Sequence, residues 1–288
     1  MFFSGVSRFF RYLAAVFWLF SIMPVIRALG DVLLPRPCVV CGRPLRVHEE
    51  CMCVRCAMDL PLTWNWNMSH HPMADRLNAL IQERLMAETP EESAAHEPYA
   101  FAAALFYYRS GSGYSQLTRR LKYRADFPTG RFMARLLGER LAASPLYADV
   151  DAVVPVPLHW MRRAVRGYNQ ASVIGKEVAD CLGVPMINLL ARERKTSTQT
   201  HLDASHRLAN VLGAFSLRPA ALRSGAVRDA AFLSAASRQI GPDGPLHLLL
   251  IDDVFTTGST LAACHAALRE VFPPQVLRIS AATLGCVQ

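Results

Sequence analysis

The 288-residue sequence has no internal repeat and no low-complexity tract, which excludes a repeat architecture. Charged side chains are scarce, 19% against 52% hydrophobic ones, which excludes a disordered body. An uncharged run of spanning length is missing: residues 12–26 fall short of the ~20 a bilayer core requires, and Pro24 interrupts them. No small-x-small cleavage site follows this run, which argues against a signal peptide. Complete glycine-rich nucleotide motifs are also lacking. The candidate starting at Gly111 carries Gln116 where G-x-G-x-x-G needs its last glycine, and Gly175-Lys176 has no preceding glycine to make a P-loop.

Acidic residues are the minority charge. The 31 basic and 23 acidic side chains leave +8, a field that favours phosphates, nucleic acid or an anionic membrane surface. Flanked by Arg8, Arg11 and Arg27, the N-terminal apolar run fits an amphipathic or buried helix, packed on the protein or lying on a membrane, better than an anchor. The cysteines are unevenly spread: five of eight fall between Cys38 and Cys56. That clustering points to metal in a reducing cytoplasm, not to a disulfide framework.

Composition breaks divide the chain into an apolar helix at 1–33, a cysteine module at 34–61, a connector at 62–99 with a short helix near 76–86, and a large domain at 100–288. From residue 100 onward, short apolar runs alternate with helical patterns, the signature of a mostly parallel α/β sheet. Strands are expected over 101–108, 152–156, 186–189, 246–251 and 276–284, with a further one at 213–217. Helices are expected over 114–123, 131–143, 169–182 and 260–272. Residues 219–245 read as a surface excursion with a helix near 228–238.

Three blocks carry chemistry. The first is the continuous apolar run 246–251, suited to a strand buried on both faces, which ends in Asp252-Asp253. Ligands of open α/β sheets sit outside the carboxyl ends of strands, so both carboxylates are expected at a crevice where they can accept hydrogen bonds from ribose hydroxyls. Thr256, Thr257, Gly258, Ser259 and Thr260 then run into a helix, offering backbone N–H groups, hydroxyls and the positive dipole end to one phosphate. The bland alternative, an ordinary strand end and helix cap, explains the paired acids less well. The second block puts Arg162, Arg163 and Arg166 after an apolar run and a proline-stiffened loop, a guanidinium clamp for pyrophosphate or merely a solvated basic loop. Lys122 is a weaker phosphate candidate.

The third block is Cys38-x-x-Cys41 with Cys53-x-x-Cys56, two knuckles with Gly42 at a tight turn, which suits four thiolates around a structural Zn²⁺. His48, His70 and His71 read as ordinary surface histidines.

On these residues the chain resembles the type I phosphoribosyltransferases and, within them, the bacterial ComF/GntX family. The resemblance covers about 33–284 and rests on four blocks in order: the cysteine ribbon, VPVPLHWMRRAVRGYNQ, RKTSTQTHLDASHRLAN and LLLIDDVFTTGST. It implies an α/β type I phosphoribosyltransferase fold, a five-stranded parallel sheet flanked by helices, preceded by a small zinc ribbon and the N-terminal apolar helix. It implies affinity for phosphoribosyl pyrophosphate with Mg²⁺, with Asp252 and Asp253 as catalytic residues and Arg194, Lys195, Thr196 and Gln199 on a mobile loop over the site. The family pattern has an apolar residue where Cys51 stands, which leaves Cys51 out of the metal set.

Two functions stand open. One is an enzyme transferring ribose 5-phosphate to an unknown acceptor with release of pyrophosphate. The other is a catalytically quiet component of natural competence and DNA uptake, binding single-stranded DNA and competence proteins, with Trp64 or Trp66 as stacking surfaces. Either is expected in the cytoplasm, with peripheral membrane contact through the N-terminal helix.

Overall fold

A computed structural model of the protein describes residues 35–88, 97–192, 213–218 and 245–287. The expected N-terminal helix at 1–33, the loop carrying Arg194, Lys195, Thr196 and Gln199, and nearly all of the excursion at 219–245 lie outside the described residues. The chain divides into two compact units, Met1–Leu60 and Pro61–Gln288. Among the described residues no helix is long and apolar enough to cross a membrane.

The smaller unit is built around its cysteines. The first knuckle closes through Gly42 N–H donating to the Cys38 carbonyl at 2.9 Å and Cys38 N–H donating to Arg43 at 2.7 Å. Gly42 takes a φ of +74°, a left-handed conformation that side chains disfavour. Helix α1 (Val54–Met58) follows the second knuckle.

The larger unit is an α/β structure around a four-stranded, all-parallel sheet. Its strands are β1 (Ala102–Tyr108), β2 (Ala152–Pro155), β5 (Leu246–Phe255) and β6 (Leu277–Val287), in the order β1-β6-β5-β2. Beyond β2, the expected strand at 186–189 reduces to a single parallel bridge between Val153 and Met186. The chain instead forms a separate antiparallel pair, β3 (Leu190–Arg192) with β4 (Phe215–Leu217). Five full parallel strands are therefore not present among the described residues.

The middle of strand β5 forms because it has nothing polar to expose: Leu248, Leu249, Leu250 and Ile251 are at most 1% exposed. Each such burial contributes ~1.5–3 kcal/mol before entropy is counted. Helices α2 (Pro72–Glu88) and α7 (Ser259–Arg269) contribute Leu77, Leu80, Leu261 and Leu268 to one core with Leu248 and Leu250. The stretch expected to be a connector thus builds part of the core. On the rest of the sheet, α6 (Gln170–Leu182) packs on β2 and β5, and α4 (Phe127–Ala142) packs on α6. Helix α3 (Ser115–Arg124) leads into α4.

Two boundaries matter for the site. Strand β5 does not stop at Ile251. It stays paired with β6 through Phe255, with Asp252 opposite Thr283, whereas β2 ends opposite Ile251. The arginines expected on a loop lie on a short helix, α5 (Trp160–Arg166), whose start is capped by His159 Nδ1 accepting from Met161 N–H at 3.3 Å.

Candidate functional site

Because β2 stops while β6 continues, Asp252 and Asp253 occupy a stretch of β5 that is hydrogen-bonded on one edge and open on the other. Successive residues of a strand face opposite ways, and the two carboxylates have different surroundings. Asp253 Oδ2 lies 3.3 Å from Lys122 Nζ, at the end of α3. Asp252 Oδ1 accepts from the Asp253 N–H at 2.8 Å. Burial pushes the Asp252 carboxyl up to about 7, and the Asp253 charge pushes the same way. The backbone hydrogen bond, Lys122 and Arg192 pull against both. Near neutrality Asp252 is therefore only partly ionised.

After Phe255 the chain turns through Thr256, Thr257 and Gly258 into α7. Gly258 caps that helix with a φ of +83°, and a Cβ there would stand 2.8 Å from Phe255 Cζ and 3.1 Å from Leu80 Cδ1. Only glycine closes this turn without displacing the ring beneath it. Thr257 Oγ1 lies 3.0 Å from Ser259 Oγ, and the N-cap residue Gly258 makes no side-chain cap to α7. Among the first N–H groups of α7, that of Ser259 makes a long contact to Thr257 Oγ1 at 3.5 Å, and the N-cap residue Gly258 claims none with a side chain.

A cavity of about 210 Å³ gathers these parts. Asp252, Asp253, Thr256 and Thr260 form its acidic and hydroxyl side; Lys122, Arg162, Arg166 and Arg192 form its basic side. Gln170 and Asn169 complete the rim, with Asn169 Nδ2 donating to the Val156 carbonyl at 2.9 Å. Of the three arginines expected to act together, Arg162 and Arg166 line this cavity. Arg163 is directed to a neighbouring one of about 390 Å³, which Asn188 and Arg218 also line. The helical turn is the physical reason, since adjacent residues on a helix do not share a face. Thr257, Gly258 and Ser259 shape the turn without lining the cavity.

Sequence reasoning undervalued Lys122 and missed Arg192. Arg192 ends the apolar run 189–190, and its guanidinium lies over the Phe215 ring, 5.1 Å from the centroid. Burial, together with the Arg162 charge, draws its pKa below the ordinary value. Two other expectations are corrected. His71 is not a surface residue: it is buried, and its Nε2 lies 2.8 Å from the Ala102 carbonyl. Trp66 is 2% exposed and cannot stack on a ligand, whereas Trp64 is 57% exposed.

A polar cluster occupies the other end of β5. His247 Nδ1 lies 2.9 Å from Asp149 Oδ1, and its Nε2 lies 2.8 Å from Ser280 Oγ. The order Ser-His-Asp suggests nucleophilic catalysis, but Ser280 and His247 are at most 1% exposed, so no substrate reaches the hydroxyl. The cluster ties β5 to β6 and to the segment before β2.

In the smaller unit, the sulfur atoms of Cys38, Cys41, Cys53 and Cys56 all lie within 4.8 Å of one another, and Cys51 is not among them. Cys41 Sγ and Cys53 Sγ are 3.7 Å apart, close to the roughly 3.8 Å separating corners of a tetrahedron of Zn–S bonds. Burial pushes the Cys38 thiol up, yet backbone hydrogen bonds from Cys41, Cys53 and Val40 bring it to about 7. The four cysteines fit a closed structural zinc site, in which they would be the ligands.

No protein-family model matches the chain. It is similar to Competence protein F of Haemophilus influenzae, 32% identical over 161 residues that cover 54% of this chain and 62% of that protein. It is also similar to the DNA utilization protein YhgH of Salmonella typhi, 32% identical over 152 residues, 51% of this chain and 57% of that protein. The same-named protein of Salmonella typhimurium is 30% identical over 152 residues. The chain thus spans about three fifths of the length of the curated relatives it matches. Taken with the cysteine cluster and the order of the blocks, these similarities support a ComF family assignment for the chain.

Proposed function

We propose that this chain is a phosphoribosyltransferase-type protein that binds 5-phosphoribosyl pyrophosphate with Mg²⁺ at the open edge of β5 and serves DNA utilisation in competence. One observation carries the reading: a single cavity opposes the Asp252-Asp253 pair to four cations, beside a hydroxyl-rich turn opening a helix. A ligand with two ribose hydroxyls, a 5′-phosphate and a pyrophosphate satisfies each of these groups. Asp252 and Asp253 accept the hydroxyls. Thr256, Thr260 and the first N–H groups of α7 take the 5′-phosphate. Lys122, Arg162, Arg166 and Arg192 face the pyrophosphate. Hard carboxylate oxygens also fit Mg²⁺, which Asp252 and Asp253 would hold and which would supply charge neutralisation for the pyrophosphate.

In transfer, the bond between ribose C1 and the pyrophosphate oxygen breaks and its electron pair leaves with pyrophosphate. A bond from the acceptor to C1 forms, and the acceptor's proton is lost. The arginines stabilise the charge that grows on the leaving group, and Asp252 and Asp253 hold the ribose as positive charge develops on it. The acceptor class is left open by the residues lining the cavity.

Titration calorimetry with phosphoribosyl pyrophosphate and Mg²⁺ tests the binding: we expect saturable binding that disappears in Asp252→Asn/Asp253→Asn. No heat from the wild-type chain would remove the reading.

The names of the relatives favour a second reading, a DNA-binding component without transfer chemistry. Exposed Trp64 and the +8 charge suit single-stranded DNA. Salt-dependent binding of an oligonucleotide together with absent pyrophosphate release across nucleobases and small amines would favour it.

A further inference from the structure

A second cavity of about 470 Å³ opens on the other side of the Phe255-Thr256 turn. Its size lies in the range of small-molecule sites, roughly 300–1,000 Å³. It shares only Thr256 with the lining of the cavity that holds Asp252 and Asp253. Met68, Met73, Tyr107, Phe255 and Cys286 give it apolar and aromatic walls.

Its polar groups are few and directional. Asn65 is 5% exposed, and its amide orientation is fixed: Oδ1 accepts from Ala104 N–H at 2.9 Å and from Thr63 Oγ1 at 2.7 Å. The Nδ2 group is left with the Met73 sulfur at 3.7 Å, a weak acceptor. A buried amide donor matched only to a thioether lacks a strong partner, and Asn65 lines the cavity. Arg76 adds a guanidinium to the same lining, which contains no carboxylate.

We propose that this cavity is a second ligand site, for a planar heteroaromatic acid whose ring acceptor takes the Asn65 amide and whose anionic group meets Arg76. The aromatic walls suit the ring, and the charge-assisted bond to arginine supplies orientation. The occupant also gains a lever on the phosphate turn, because the Phe255 ring that lines this cavity is the one packed beneath Gly258. Ordering that ring raises affinity for phosphoribosyl pyrophosphate, and by linkage the reverse holds. This coupling rests on the proposed function; the site itself does not.

The test uses the full chain and three bicyclic probes: quinoline-3-carboxylate, its carboxamide, and naphthalene-2-carboxylate, followed by saturation-transfer NMR and calorimetry. Quinoline carboxylate should bind roughly tenfold or more tighter than either the uncharged amide or the acid lacking a ring nitrogen. Arg76→Ala should erase the preference for the acid, and Met68→Trp, at a half-exposed wall position, should block all three probes. Unchanged melting confirms that both variants fold. Binding in Asp252→Asn/Asp253→Asn should equal wild type, which separates this site from the other cavity. Equal binding of acid and amide, indifference to Met68→Trp, or no binding at about 1 mM would overturn the proposal. If the probe binds and phosphoribosyl pyrophosphate does not, the site stands and the proposed function fails. If both bind without mutual effect, the coupling fails.

Discussion

The two ends of strand β5 place acidic and basic groups at similar density with opposite outcomes. At the start of the strand, His247 is enclosed between Asp149 and Ser280, and both ring nitrogens have partners inside the protein. At the far end, Asp252 and Asp253 emerge where β2 has stopped, with Lys122 against one and the other pushed up to about 7. The first cluster is closed and the second incomplete. The lesson is that residue identity does not mark a site: a serine-histidine-aspartate series is architecture here, while two strand aspartates face a basic cavity. What separates them is whether the polar groups are satisfied without a ligand.

Several substitutions probe this contrast. The largest effect is expected at the open end: Asp252→Asn/Asp253→Asn should weaken phosphoribosyl pyrophosphate binding about 100-fold or more, with melting temperature held or raised because like charges are removed. Calorimetry and thermal melts read the two quantities. A large fall in melting temperature with little change in binding would reverse the roles assigned to the two ends.

At the closed end, His247→Ala should cost about 2–4 kcal/mol in urea unfolding, since it opens a cavity and leaves the buried Ser280 hydroxyl without its partner. Ligand affinity should stay within about twofold. Gly258→Ala falls between the two classes. Its Cβ would meet Phe255 Cζ at 2.8 Å, so we expect a loss of about 1–3 kcal/mol together with weakened 5′-phosphate binding.

The smallest effects are in pH dependence, and the two ends have opposite signs. Burial lowers the His247 pKa below its ordinary value, although Asp149 opposes this. The folded state thus resists protonation, and stability through this group falls as pH drops through about 6.5. Asp252 is raised to about 7. Its contribution is full below the unfolded value of about 3.9 and is lost as pH rises through 7. Asp252→Asn should therefore gain more in melting temperature at high pH than at low pH, while His247→Ala should flatten the acid side. Parallel shifts in both variants would contradict the contrast.

Much of the open end was legible in the chain because its signals are local. A buried apolar run followed by two acids and a hydroxyl-glycine turn is one contiguous segment, and both the strand and the helix after it are present. The cysteine knuckles were legible for the same reason. Long-range information was not. The pairing that carries β5 on to Phe255 depends on β6, some thirty residues away, and shows in no local pattern. Arg163 looked equivalent to its neighbours until α5 formed and turned it to a different cavity. Arg192 and Lys122 reach the site from β3 and α3, which only tertiary packing brings to the acids. His71 looked ordinary because burial is not written in a single residue.

Amide hydrogen exchange across β5 and α7, with and without phosphoribosyl pyrophosphate and Mg²⁺, tests the central claim most directly. The account predicts ligand-dependent slowing confined to residues 252–262 and to α5, with exchange around His247 unchanged. Slowing near His247, or none at residues 256–260, would contradict it.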